Sequence, residues 1–173
     1  MLAARVRCVV PHARSFSLKA ASAYLEPATK MGIHGLGPGE LNQPRSIAIT
    51  PNGEMFVSEF ANERISVFSP SGGYERTLWL QRQGRPGRPS RLTTNHAGHL
   101  VVTDSRWHCV HVLCPSTGDV ITSFGSKGHD EGKLFWPRGV AVMSDGTFVV
   151  GPLHYITPSP HAFRIHMDSR STS

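Results

Sequence analysis

The stretch GELNQPRSIAITPNGEMFVSEFANERISVF, from Gly39 to Phe68, decides the fold, because its grammar returns twice further along the chain. With Gly53 laid on Gly98 and on Gly146, three segments fall into register: PRSIAITPNGEMFVSE from Pro44, PSRLTTNHAGHLVVTD from Pro89 and PRGVAVMSDGTFVVGP from Pro137. The steps between these prolines are 45 and 48 residues. Self-similarity at a fixed period of this size marks a repeat architecture, in which each unit is one supersecondary block that cannot bury its apolar faces alone.

Inside the first unit Ile47 and Ile49 alternate with Ala48, the polar turn Thr50-Pro51-Asn52-Gly53 follows, and Met55-Phe56-Val57 begins a second apolar run. Two strands joined by a hairpin turn are predicted, with Asn52-Gly53 and Asp145-Gly146 supplying the positive φ that such turns need. Met55 to Val57, Leu100 to Val102 and Phe148 to Val150 are apolar at consecutive positions, so this second strand is predicted to be covered on both faces, as stacked sheets provide. A third strand is read at Arg64 to Phe68 and at Cys109 to Leu113, and a fourth at Glu75 to Trp79 and Val120 to Phe124. Four strands per unit of roughly 40 to 45 residues is the propeller-blade pattern. A lead-in G-x-[L/P]-x-x-P opens all three units, at Gly39 to Pro44, Gly84 to Pro89 and Gly132 to Pro137. Its proline falls just ahead of a strand, where no ladder N–H is lost.

These residues resemble the NHL-repeat family of β-propellers. The resemblance rests on GELNQPRSIAI, on NGEMFVSE and on Asn62-Glu63-Arg64-Ile65-Ser66-Val67-Phe68, which is similar to the family's N-x-R-I-x-V-F strand. It spans about residues 35 to 150. The second unit departs from it with Trp107-His108-Cys109 in place of Asn-x-Arg, and the third stops matching after Val150. The fold class expected is all-β, a partial β-propeller of two four-stranded NHL-type blades plus an incomplete third. The divisions are a leader at 1–34, repeats at 35–80 and 81–125, a partial repeat at 126–150, and a non-repeat tail at 151–173.

Propellers close with roughly 4 to 8 blades. Three units with the last cut short fall below that, so the chain is expected to be part of a longer propeller protein, or to cover its open blade edges by self-association. Residues 1 to 30 carry Arg5, Arg7, Arg14, Lys19 and Lys30 against the single acid Glu26. They are read as a disordered leader of a cytoplasmic protein, with a mitochondrial transit peptide as the alternative; Pro11 interrupts the helix such a peptide forms. There is no secretory apolar core and no run of about 20 apolar residues for a membrane span. Beyond Val150, Pro152, Pro158 and Pro160 make the tail a poor ladder partner, and Phe163 to Met167 arrives too late in register for a third strand.

The balance of 18 Lys and Arg against 12 Asp and Glu gives a net charge of +6. Part of it concentrates in the connection between units one and two, where Arg82, Arg85, Arg88 and Arg91 are spaced by Pro and Gly. Arg45 and Arg138 share one repeat position, and like positions in successive blades lie on one rim, so these arginines are candidates for a single positive face. Trp107 and Trp136 are the candidate aromatic contacts on that rim, Trp107 as an exposed one. The expected function is non-catalytic: a binding module offering blade-end loops to a protein partner. The alternative is RNA binding by the same rim, which the tripartite-motif relatives imply by resemblance and in which the tryptophans would stack on bases. The resemblance also implies two remote alternatives for a longer parent, a ubiquitin-ligase-associated protein and an amidating lyase.

No catalytic, metal or cofactor set emerges. Cys8, Cys109 and Cys114 form no C-x-x-C pair. RING and B-box ligands, which the tripartite-motif members carry ahead of the propeller, are absent before Gly35. The ten histidines show neither H-x-H nor HExxH spacing and are read as scattered surface residues, with His108 and His111 on opposite faces of one strand. No Walker loop, GxGxxG or G-x-S-x-G occurs. Glu59 and Asp104 coincide in the repeat and are read as turn or cap residues.

Overall fold

The structure, a computed structural model, describes residues 31–151 and the backbone of the strand Phe163–Ile165. The transit-peptide reading, the leader reading up to residue 30, and the tail reading on either side of that last strand lie outside the described residues, while the last residues given to the leader, Ile33 and His34, already pair with Leu41. Every regular element among the described residues is a β-strand. β1 (Pro44–Ile49), β2 (Met55–Glu59), β3 (Arg64–Phe68) and β4 (Tyr74–Leu78) form an antiparallel meander in chain order. A two-stranded hairpin of β5 (Gln81–Arg82) and β6 (Arg85–Pro86) follows. β7 (Pro89–Thr94), β8 (Leu100–Asp104), β9 (Cys109–Leu113) and β10 (Val120–Phe124) repeat the meander. β11 (Gly139–Val142), β12 (Phe148–Gly151) and β13 (Phe163–Ile165) make a three-stranded sheet. The architecture is a partial β-propeller with two complete blades and an incomplete third.

Two details differ from the sequence reading. The third unit does not end at Val150: β12 runs to Gly151, and Phe163–Ile165 pairs with it, Val149 opposite Arg164. Strand pairing asks only that an extended segment reach a free edge, so a longer connection defeats register counting without preventing the pair. The connection through residues 82–91 is likewise not a plain loop, since it holds the β5–β6 hairpin and Arg91 already belongs to β7.

The hairpin turns work through glycine alone. Gly53, Gly98 and Gly146 have φ of 88°, 82° and 83°, the left-handed region that glycine enters without steric cost. Asn52 acts through its side chain instead, accepting from the Thr50 hydroxyl at 2.5 Å and donating to Glu54 at 2.8 Å.

The faces of the second strands make the core, because strand side chains alternate between the two neighbouring blades. Ala48, Phe56, Ile65, Val67 and Leu78 of blade 1 meet Leu92, Leu100, Val102 and Leu113 of blade 2. Val101, Val110 and Val112, from the other side of blade 2, meet Phe148 and Val150 of blade 3. Full burial of one such side chain stabilises by roughly 1.5 to 3 kcal/mol. Each junction also receives a leucine from the connection between its blades, Leu80 in the first and Leu134 in the second. Polar seams add to this: the Ser58 hydroxyl donates to the Ser90 carbonyl at 2.8 Å in the buried space between blades 1 and 2.

The lead-ins are themselves ordered. Leu41 N donates to Ile33 O at 2.6 Å, and Leu134 N to Ser126 O at 2.8 Å, closing matching loops with bridges His34–Leu41 and Lys127–Leu134. Gly125 has φ 87°, and a Cβ there would lie 2.5 Å from Leu134 Cδ1. Only glycine lets the leucine sit that close.

Candidate binding rim

In an antiparallel meander the start of the first strand, the turn from second to third and the exit of the fourth share one end. The Pro44 end, the 60–63 turn, the 79–91 connection and the 105–108 turn therefore form one rim. Its corners use left-handed backbone at non-glycine positions: Gln43, Glu63, Gln83, His108 and Trp136 have φ between 49° and 55°. Such residues are uncommon outside glycine and asparagine and mark places where the fold over-determines the backbone.

The rim gathers arginines from separate elements around Phe60. Arg45, in β1, places its guanidinium 4.3 Å from the Phe60 ring centroid, and Arg88, from the connection, lies 4.9 Å from it. A guanidinium over an aromatic face is attracted by the ring quadrupole. Arg91 donates to the Arg45 carbonyl. Glu63 is the carboxylate here: it takes Arg88 Nη2 at 2.8 Å and is also ion-paired with Arg106, whose Nη1 reaches Pro86 O at 2.8 Å as well. Burial pushes the Glu63 carboxyl up, but the hydrogen bonds and charges of Arg106 and Arg88 outweigh it and hold the group below the usual carboxylate range. Among the described residues Arg45 and Arg91 pair with no carboxylate, so the cluster carries uncompensated positive charge.

The remaining candidates sit apart from that cluster. Arg82 lies 5.8 Å from the Trp107 ring, and Arg85 is exposed on the β5–β6 hairpin. Trp107 is half-buried rather than exposed, and its buried Nε1 has no hydrogen-bond partner among the described residues. Trp136 is 37% exposed in the lead-in to blade 3, where its backbone N–H donates to His108 Nδ1 at 3.0 Å. Arg138 begins blade 3, its backbone N–H bonded to Gly151 O at 2.9 Å. Phe60, Glu63 and Arg106 belong to the rim but were not among the sequence candidates. Phe60 directly follows the recurring acid Glu59, which was the available clue, whereas Arg106 stands where the first unit has Ala61.

The histidines correct the reading of a scattered surface set. His108 is not on a strand; it closes the 105–108 turn with φ 55°, is 8% exposed and stacks on Phe135 at 5.3 Å. His111 is in β9 and 7% exposed. Burial first, then the charge of Lys127, push the His108 imidazole down, against the opposing pull of Asp104. Its neutral ring is the acceptor that Trp136 requires. Asp104 caps its turn by accepting the backbone N–H groups of Arg106 and Trp107, whereas Glu59 takes the Asn62 side chain instead, and both acids are fully buried. Among the described residues no group of three His, Cys, Asp or Glu could hold a metal ion, and no helix is long and apolar enough to cross a membrane.

Sequential four-stranded meanders, packed face to face by their second and third strands, define the class as a β-propeller. No family model matches the chain. Over 133 residues, 70% of its length, it is 31% identical to the human E3 ubiquitin-protein ligase TRIM32, an NHL-repeat protein, and spans 19% of that relative. Virginiamycin B lyase from Staphylococcus aureus, in a catalytically inactive form with quinupristin, superposes with a TM-score of 0.54 at 22% identity, over 76% of this chain and 43% of the lyase. Hydrazine synthase of Kuenenia stuttgartiensis gives a TM-score of 0.52 at 18% identity, over 70% of this chain and 32% of that one. These structural likenesses show the fold. With the sequence relative, they make the blades NHL-like propeller blades.

Proposed function

We propose that the chain is a non-catalytic binding module whose arginine rim docks an acidic segment of a protein partner. The observation that carries this reading is the cluster of Arg45, Arg88 and Arg91 at Phe60, served by one carboxylate that Arg88 shares with Arg106. Positive charge without internal compensation raises encounter rates with anionic partners and favours opposite charge at the contact. Phe60 holds two of the guanidiniums at its ring, which orders them before a ligand arrives and reduces the entropy lost on binding. Localisation in the cytoplasm goes with this reading, and a longer protein carrying these blades could place the rim beside a ubiquitin-ligase module, as the name of the human relative suggests.

RNA is the second reading, favoured by Trp136, an exposed aromatic on which a base could stack. A fluorescent peptide of about ten glutamates and a uridine oligonucleotide of about ten nucleotides separate the two. Protein docking predicts saturable binding of the peptide, weakened more than tenfold by Arg45→Glu with Arg91→Glu, and little response to Trp136→Ala. Tighter binding of the oligonucleotide, lost in Trp136→Ala and steeply weakened by salt, would move the assignment to RNA. Failure of both probes at low salt would reject the rim as a binding site.

A further inference from the structure

We propose that the buried Asp104–His111 pair of blade 2 is a pH-operated latch on the connection between blades 1 and 2, closed when the His111 ring is charged. The proposal goes beyond the binding reading and does not depend on it.

The two complete blades solve the same problem differently. In blade 1 the buried acid Glu59 accepts from Arg64 Nε at 2.8 Å, the Ser66 hydroxyl at 2.6 Å, Asn62 Nδ2 at 2.6 Å and Asn42 N at 2.9 Å. Arg64 continues outward to the carbonyls of Leu36, Gly37 and Glu40, tying the lead-in down. A guanidinium stays charged at every accessible pH, so this tie is permanent. In blade 2 the acid is Asp104, and register places Cys109 where Arg64 stands and His111 where Ser66 stands. The fixed cation is gone, and a titratable one has come in from the neighbouring position.

The geometry couples that cation to the connection. Asp104 Oδ2 lies 3.8 Å from His111 Nε2 and accepts the backbone N–H of Arg88 at 3.2 Å, while Oδ1 accepts those of Arg106 and Trp107 at 2.8 and 2.9 Å. A Cβ on Gly87 would collide with Oδ2, so the connection's backbone rests directly on the carboxylate. His111 Nδ1 is 2.7 Å from Ser123 Oγ, and Nε2 is 3.3 Å from Cys109 Sγ. Imidazole is the side chain that ordinarily changes charge between about pH 5 and 8. Charged, the ring donates from both nitrogens, to Ser123 on one side and toward Asp104 and the Cys109 sulfur on the other. Neutral, it leaves a buried carboxylate with no ion-pair partner among the described residues, an arrangement that is unfavourable.

The other groups facing the pair do not replace it. On β9, burial and then the charge of Asp104 push the Cys109 thiol up to about 12, so it stays neutral; Arg82, from the connection, opposes that shift. From the 105–108 turn His108 also feels Asp104, and Lys127 of the third lead-in acts on His108. Arg106 turns its side chain to Glu63, as does Arg88. The blade 1 side contributes apolar Leu80 beside Gly87.

The test is a nuclear magnetic resonance titration of the full chain between about pH 5 and 8, following the rings of His108 and His111 and the amides of Gly87 and Arg88. The Arg88 amide is expected to move with the midpoint of His111. Its hydrogen exchange, corrected for intrinsic rate, should be several-fold better protected at the acid end than at the basic end. His111→Ser should abolish the step, and Cys109→Arg, which restores the residue of blade 1, should make protection high at both ends. An Arg88 amide indifferent to the His111 midpoint, one that follows His108 instead, or a step surviving in His111→Ser would overturn the latch. Should His111→Ser not fold, the wild-type titration decides by itself.

Discussion

Cys109 and Cys114 lie five residues apart, yet their thiols belong to different chemistries. Cys114 stands at the end of blade 2's third strand, where hydrogen bonds from the Ser116 hydroxyl and then from Thr117 draw its thiol down to about 7. Cys109 is buried beside Asp104 and stays protonated. Thiolate, not thiol, is the nucleophile, so iodoacetamide at neutral pH should label Cys114 and leave Cys109 untouched, as peptide mass spectrometry would read. Arg64 gives a second prediction at this scale. Arg64→Ala strands the Glu59 carboxylate in the interior, and loss of one partner from a buried pair costs about 3 to 5 kcal/mol, measurable by urea denaturation. The recurring acids were visible in the repeat alignment, but their burial was not. Only the cross-strand register, Glu59 opposite Arg64 and Asp104 opposite Cys109, converts a turn residue into an interior charge.

Among the elements, the lead-ins carry the clearest expectations. Leu134, 2% exposed, sits between blades 2 and 3, so Leu134→Ala should destabilise by about 2 to 5 kcal/mol through lost burial and the cavity left behind. The same lead-in leans on a neutral His108. Because the native imidazole is depressed below its ordinary value of 6.5, the unfolded chain binds the extra proton. The stability it contributes is full above about pH 6.5 and is lost as pH falls through the native value. Acidification should therefore loosen the Trp136 contact, seen as a change in tryptophan emission. His108→Asn, which tolerates positive φ and keeps an acceptor, should suppress the loss. The strands were legible because alternation and turn glycines are local signals, from Ile47 and Ile49 to Gly53. The Phe60 cluster was not, since Arg45, Glu63, Arg88 and Arg106 meet only once two blades are stacked.

At the largest scale, the blade 1 end of the array is open among the described residues. Ile47 and Ile49 of blade 1 are 50% and 58% exposed, while Val140 and Val142 at the same repeat positions in blade 3 pack against blade 2. Exposed apolar surface of this kind invites association. Light scattering on the purified chain should accordingly show self-association that Ile47→Glu with Ile49→Glu reduces; a monomeric wild type would contradict it. The repeat period was readable from three prolines, but which blade faces remain uncovered follows only from the stacking.

Each lead-in also fixes where the repeating unit truly begins. Leu134 packs in the junction that precedes blade 3, and Trp136 reaches back to His108 of blade 2, so a sheet cut out at its first strand would leave its own mortar behind. A gene duplication, or an engineer grafting blades between proteins, would succeed with breakpoints just ahead of Gly32 or Gly125 and fail with breakpoints at Pro44 or Pro137. The heritable module is offset from the visible one by about a dozen residues, roughly the length of a compact loop.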